Sequence, residues 1–227
     1  MRLAALLALL AAPAAAQECR LALVLAVDVS SSVDAAEDRL QRDGLAFALR
    51  SPAVRGALRG GDPVALWAFE WSGSRAQAPI LPGWVILADD AAIEAAAQAI
   101  ERSTRSRSNL PTAVGPALAH AALSFREAPE CRARTIDVAG DGIHNEGFTP
   151  AMAYREFPDL IGVTVNALIV GGAGGGDAQL VAWFQGEVLR GPGAFSVYTD
   201  SYDGYARAME AKLLRELQVP AVGKRAW

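Results

Sequence analysis

Three short segments of this chain carry oxygen donors in patterns that suit chemistry. Asp28-Val29-Ser30-Ser31-Ser32 follows one apolar run, Asn109-Leu110-Pro111-Thr112 leads out of a polar stretch, and Gly140-Asp141-Gly142 ends another apolar run. Asp28, Ser30 and Ser32 have alternate spacing, so on a loop leaving a strand their side chains can converge on one point. Asp28, Ser30, Ser32, Thr112 and Asp141 together supply two carboxylates and three hydroxyls, a set of hard oxygen donors that suits Mg²⁺ or Mn²⁺. Mg²⁺ takes about six oxygens and retains waters, so such a shell is incomplete and leaves room for a ligand oxygen. The competing reading of the first segment is helix capping, with Ser32, Asp34 and Glu37 at the start of a helix near Val33.

The elements that must position these residues follow from hydrophobic periodicity. Leu21–Val27, Val64–Phe69, Thr135–Ala139, Val163–Val170 and Phe195–Tyr198 are apolar runs of strand length, and Ile80–Leu87 is a further strand whose Pro82 marks it as an edge. Between them, Val33–Leu49, Asp90–Ile100, Thr112–Phe125, Ala151–Phe157, Ala178–Val188 and Tyr202–Leu217 read as helices, the first closed by Ser51-Pro52 and the third opened by Pro111. Alternating strands and helices predict an α/β fold: a doubly wound, mostly parallel sheet flanked by helices. In such sheets functional groups gather at the carboxyl ends of the strands; the first and third segments directly follow strands, and the topology puts the second, which leads into a helix, at the same edge.

Composition narrows the function. The 227 residues are 52% apolar, and 21 Lys+Arg against 25 Asp+Glu give a net charge of −4, which lacks the basic footprint of a nucleic-acid binder. Arg2, the apolar run Leu3–Ala12 and Ala14-Ala15-Ala16 have the form of a cleavable export leader, so residues 1–16 are expected to be a signal peptide and 17–227 a single domain, periplasmic or secreted. The leader is too short to span a bilayer, and no transmembrane anchor is expected. Two cysteines, Cys19 and Cys131, remain for a compartment in which disulfides persist.

The oxygen-bearing residues resemble the metal-ion-dependent adhesion site of the von Willebrand factor type A family, whose pattern is Asp-x-Ser-x-Ser, a distant Thr and a distant Asp. Asp28, Ser30, Ser32, Thr112 and Asp141 match it, and the resemblance extends over most of the chain, with Ile80–Leu87 as the family's antiparallel edge strand. More narrowly, the leader, Asp-Val-Ser-Ser-Ser and Gly140-Asp141-Gly142-Ile143-His144-Asn145 resemble an exported bacterial subgroup of uncharacterised function, DUF1194-like. Two departures stand out. Gly140 occupies a position where many members carry Ser or Thr, and Asn109-Leu110-Pro111 replaces the usual glycine-rich approach to the threonine. The family's strand order makes the strands after Cys19 and Cys131 parallel neighbours, which implies a Cys19–Cys131 bridge at the end of the sheet opposite the aspartates; two free buried thiols are the alternative.

The resemblance implies a binding module that recruits a carboxylate from a protein partner to the open position of a bound Mg²⁺ or Mn²⁺. Glu70, Trp71, His144 and Asn145 are candidates for the rim that selects the ligand. The alternative is a metal-assisted hydrolase or phosphatase with His144 as base and Ser30 or Ser31 as nucleophile, although no G-x-S-x-G elbow is present. Gly171–Gly176 has neither dinucleotide-fingerprint nor Walker spacing and reads as a connection, and His120 reads as a packing residue.

Overall fold

The computed structural model describes residues 19–172 and 177–218; the expected leader and part of the glycine run, 173–176, lie outside the described residues. Strand β1 (Cys19–Asp28) is buried at every residue from Leu21 onward, because it lies at the centre of the sheet between β2 (Val64–Trp71) and β5 (Cys131–Gly140) and pairs in parallel with both. That double burial explains its unbroken apolar sequence. With β3 (Gln77–Pro79), β4 (Val85–Leu87), β6 (Thr164–Val170) and β7 (Ser196–Thr199), the seven strands run in the order β3-β2-β1-β5-β6-β7, and β4 also pairs with β2. Helices flank this mostly parallel sheet, as the alternation of elements predicts.

The antiparallel edge differs from the single strand expected over Ile80–Leu87. Two three-residue strands pair with opposite ends of β2: β3 with Phe69–Trp71 and β4 with Val64–Leu66. Between them the amides of Ile80 and Leu81 both donate to the Ala68 carbonyl, and the Pro82-Gly83 turn follows. Pro79 and Pro82 lack the N–H a continuous ladder needs.

α1 (Ala35–Arg50) ends as expected, but Pro52 opens a second helix, α2 (Pro52–Arg59), at whose N-terminus the Ser51 hydroxyl accepts from the Val54 amide. A proline costs nothing in a first turn, where its missing N–H has no partner to lose. α3 (Asp90–Arg102) agrees with its expectation. α4 (Val114–Ser124) starts later than Pro111, and α5 (Pro150–Glu156) is capped by Thr149. The expected helix at Ala178–Val188 is α6 (Asp177–Trp183) running into a π turn at Phe184–Val188, and α7 (Tyr205–Leu217) follows a short 3₁₀ turn at Tyr202–Gly204. α1 packs on α2, α3 and α7, while α4 packs on α5. At Gly44 an added Cβ would lie 2.9 Å from Tyr205 Cδ1, so glycine sets the close approach of α1 and α7.

Cys19 and Cys131 sit opposite each other in the β1–β5 register and form a disulfide across a sequence separation of 112. One strand end is thereby pinned covalently. Reducing the bridge, or replacing both cysteines by serine, releases a loop worth about 4–5 kcal/mol in the chain-entropy model and often less in practice. A clear drop in urea midpoint with an unchanged slope is the expected result.

A buried polar cluster ties α7 to the sheet. Lys212 Nζ lies 2.7 Å from Asp137 on β5 and 2.6 Å from Glu216, and Asn166 on β6 donates to Glu216 at 2.8 Å. Two carboxylates share one ammonium. Burial, then Glu216, push Asp137 up to about 7 against the pull of Lys212. An acid whose folded pKa exceeds its unfolded value binds its proton more tightly in the fold, so stability falls as pH rises from about 4 to about 7. Asp137→Asn removes the surplus carboxylate and leaves the Lys212–Glu216 pair. Urea denaturation at about pH 5 and about pH 8 is expected to show a smaller difference for this variant than for the wild type.

Candidate metal centre

Parallel pairing delivers the two aspartates to one edge. β1 and β5 stay in register to Val27 opposite Ala139, so Asp28 ends one strand and Asp141 follows the end of its neighbour. Asp28 is fully buried. Its Oδ1 accepts from the Ser30 amide at 2.7 Å, and its backbone carbonyl accepts from Gln41 Nε2 at 3.0 Å, but Oδ2 is buried with no hydrogen-bond partner. A Cβ at Gly140 would lie 3.1 Å from that oxygen, so the absent side chain leaves space beside it. Burial, then the Asp141 charge, push Asp28 up to about 8 against the Ser30 hydrogen bonds and the positive charge of Arg105.

The three hydroxyls join the carboxylates in one connected set. Ser30 Oγ is 3.2 Å from Ser32 Oγ, Ser32 donates to Asp141 Oδ1 at 2.6 Å, and Thr112 Oγ1 donates to Ser30 Oγ at 3.2 Å. Depth changes across it: Asp28, Ser30 and Thr112 are buried, Asp141 is half-buried and Ser32 is exposed. Thr112 reaches its place although no glycine-rich segment precedes it. Its amide donates to Asn145 Oδ1 at 2.9 Å, and the Asn145 amide returns a bond of 2.9 Å to its carbonyl. Gly142 assists, since a Cβ there would lie 3.1 Å from Thr112 Oγ1.

Capping does not account for the serines. The N-cap of α1 is Asp34, whose carboxylate accepts from the Ala36 and Glu37 amides, while Glu37 accepts from the Asp34 amide. Ser30 and Ser32 are therefore free of that duty.

Two of the expected rim residues are not on the surface. Glu70 is buried and clamped between Arg42 at 2.5 Å and the Ser106 amide at 2.6 Å, and Trp71 is fully buried in the core. Arg42 of α1 and the α3–α4 connection cover the end of β2. Asn145 is exposed and acts by holding Thr112. His144 is half-buried, and burial lowers its pKa; its imidazole makes no hydrogen bond to Ser30, Ser31 or Ser32. His120 packs its ring 4.8 Å from that of Phe69.

Three contributors escaped the sequence reading. Arg105 is foremost: its guanidinium donates to the carbonyls of Val29 and Val33 at 2.8 Å each and of Asp34 at 3.2 Å, holding the loop that carries Ser30 and Ser32. Gln41 fixes the Asp28 carbonyl, as described above. Tyr202 follows β7 at the same sheet edge; its hydroxyl is buried without a partner, and burial together with the charges of Asp141 and Asp28 holds the phenol protonated. The only sequence cues were an arginine-rich, acid-free segment at 102–109 and a tyrosine just past a strand end.

Among the described residues no group of three or more His, Cys, Asp and Glu side chains is placed to hold a metal ion. The donors here are two carboxylates and three hydroxyls, so the set fits a hard oxygen-seeking cation rather than one held by nitrogen or sulfur. The partnerless Asp28 oxygen and the glycine-lined space beside it are consistent with such an ion.

Several solved structures share this architecture. A von Willebrand factor type A protein from Catenulispora acidiphila matches with a TM-score of 0.57 and 18% identity, covering 88% of this chain and 43% of that one. Proximal thread matrix protein 1 from the mussel byssus, in a structure with a zinc-occupied MIDAS motif, matches with a TM-score of 0.56 and 18% identity over 88% of this chain and 48% of its own. The pilus adhesin SpaC from Lactobacillus rhamnosus GG gives a TM-score of 0.59 and 15% identity over 88% and 30%. The chain thus spans less than half the length of each of these proteins. No curated protein matches it. A family model described as "Protein of unknown function (DUF1194)" matches residues 18–221, and so the chain belongs to the DUF1194 family, built on the von Willebrand factor type A fold.

Proposed function

We propose that this protein is an exported binding module in which Asp28, Ser30, Ser32, Thr112 and Asp141 hold Mg²⁺ (or Mn²⁺) and a protein partner contributes a carboxylate to the site. The observation that carries this reading is the buried Asp28 oxygen that no protein donor satisfies, within a connected set of five oxygen-bearing side chains. When bound, the ion supplies a Lewis-acidic position for an external anionic oxygen. Asp28 and Asp141 supply the negative charge, the hydroxyls supply neutral oxygens, and Ser32 and Asp141 lie on the solvent side. The zinc-occupied motif of the byssus protein and the adhesive role named for SpaC are in keeping with this assignment.

Export fits the disulfide, which persists in oxidising compartments, and the leader expected at residues 1–16. No helix of the described residues is long and apolar enough to cross a membrane. The hydrolase alternative has less to support it. Ser30 is engaged with Ser32 and Thr112, and neither histidine hydrogen-bonds to a serine of the set.

Titration calorimetry with MgCl₂ or MnCl₂ is the direct test. The wild type is expected to bind one ion and to gain about 2.7 kcal/mol of stability when the ion stands at about 100 times its Kd. Asp28→Ala is expected to lose both while remaining as stable in EDTA, because it also removes a buried, uncompensated carboxylate. Unchanged metal binding in that variant would remove the site assignment. The Arg105 clamp gives a second test: Arg105→Ala is expected to weaken the ion by about tenfold, the effect reported for losing support behind a ligand. Faster amide exchange confined to Val29–Asp34 should accompany it.

A further inference from the structure

One side of the proposed metal site carries a cation that the protein itself does not use. The α3–α4 connection is pinned to the Ser30–Ser32 loop at two points: Arg105 donates to the Val29 and Val33 carbonyls at 2.8 Å, and the Ser31 amide donates to the Leu110 carbonyl at 2.8 Å. Arg107, Ser108 and Asn109 lie between those pins and are all exposed. They are therefore held as a lip beside Ser31 and Ser32, and not as a free loop. The Arg107 carbonyl accepts from Arg105 Nε at 2.8 Å, which fixes the backbone of the lip, while the Arg107 guanidinium has no hydrogen bond or ion pair among the described residues.

The acidic groups nearby are already engaged. Asp34 and Glu37 close the capping box of α1, Glu146 accepts from Ser74, and Asp141 accepts from Ser32. Those hydrogen bonds leave the acids charged but occupied, and the one charged side chain between the two pins, Arg107, is positive on a protein whose net charge is −4. From 102 to 109 the chain holds three arginines and no acid.

We propose that Arg107 forms a second anion subsite beside the metal, so that the partner is an acidic protein segment with at least two carboxylates, one for the ion and one for the lip. This rests on the metal-site reading above and adds the chemical class of the partner to it. A planar guanidinium matches a carboxylate in two parallel hydrogen bonds, and a partner with one isolated acid would leave it unused. An exposed pair of this kind is worth a few-fold in affinity and is weakened by salt.

The test uses the mature protein with two fluorescein-labelled peptides, an oligoglutamate and a glycine-serine peptide carrying one glutamate, each in MnCl₂ and in EDTA. Wild-type protein is expected to prefer the oligoglutamate in MnCl₂. Arg107→Gln should lower its affinity by about threefold, and Arg107→Glu by more. Single-glutamate binding and calorimetric Mn²⁺ affinity should stay within about twofold, and the preference should shrink as NaCl is raised. Normal Mn²⁺ binding with a preference that survives Arg107→Glu overturns the lip alone, and normal Mn²⁺ binding with no binding of either peptide overturns the lip and carboxylate recruitment while leaving the ion site. Oligoglutamate binding that persists undiminished in EDTA also overturns it. Absence of Mn²⁺ binding removes the metal reading and the lip proposal together.

Discussion

The parallel register of β1 and β5 is the constraint on which the rest of the structure depends. It is fixed at one end by the Cys19–Cys131 bridge and delivers Asp28 and Asp141 to the other. A slip of one residue would turn every side chain of β1 to the opposite face and separate the two carboxylates. Since β1 is buried on both faces, and the bridge lies in the same register, such a slip is opposed by packing and by a covalent bond together. The site is therefore a consequence of strand pairing before it is a property of any loop.

Around that pairing, loops convert position into geometry. Arg105 holds the first loop by its carbonyls, Asn145 holds Thr112 by a reciprocal pair of hydrogen bonds, and Gly140 and Gly142 remove the side chains that would crowd Asp28 and Thr112. Gly140 leaves space beside the Asp28 carboxylate oxygen that has no hydrogen-bond partner.

Much of this was legible in the sequence, and the reason is physical. Strand ends are marked by an abrupt change from apolar to polar residues, and a parallel α/β sheet places all such ends along one edge, so Asp28 and Asp141 could be grouped from one sequence; Thr112 follows no strand and was matched by the family pattern. Ser30 and Ser32 followed from local spacing. Contacts that depend on tertiary approach were not legible. Arg105 meets carbonyls 71 to 76 residues away, and Glu70 is covered by Arg42, 28 residues earlier. Nothing in the local pattern of β2 signals that cover. The split edge strand and the helix opened by Pro52 are similar cases. Proline marks a break in one element without saying whether another begins.

Three places among the described residues bring a buried carboxylate close to a second acid, and they are handled differently. Asp137 and Glu216 share Lys212, and Asp38 and Glu70 share Arg42, each with side-chain contacts of 2.5 to 3.0 Å. Asp28 and Asp141 have no such resident cation: Arg105, the basic side chain closest by its bonding, spends its donors on backbone carbonyls. A buried carboxylate without a counter-charge takes up a proton, and Asp28 is raised accordingly. The fold supplies Lys212 and Arg42 for its other buried acids and leaves this pair without a bonded counter-charge at a strand edge that reaches solvent through Ser32, and that contrast supports the proposed cation site. That contrast depends on no resemblance to other proteins.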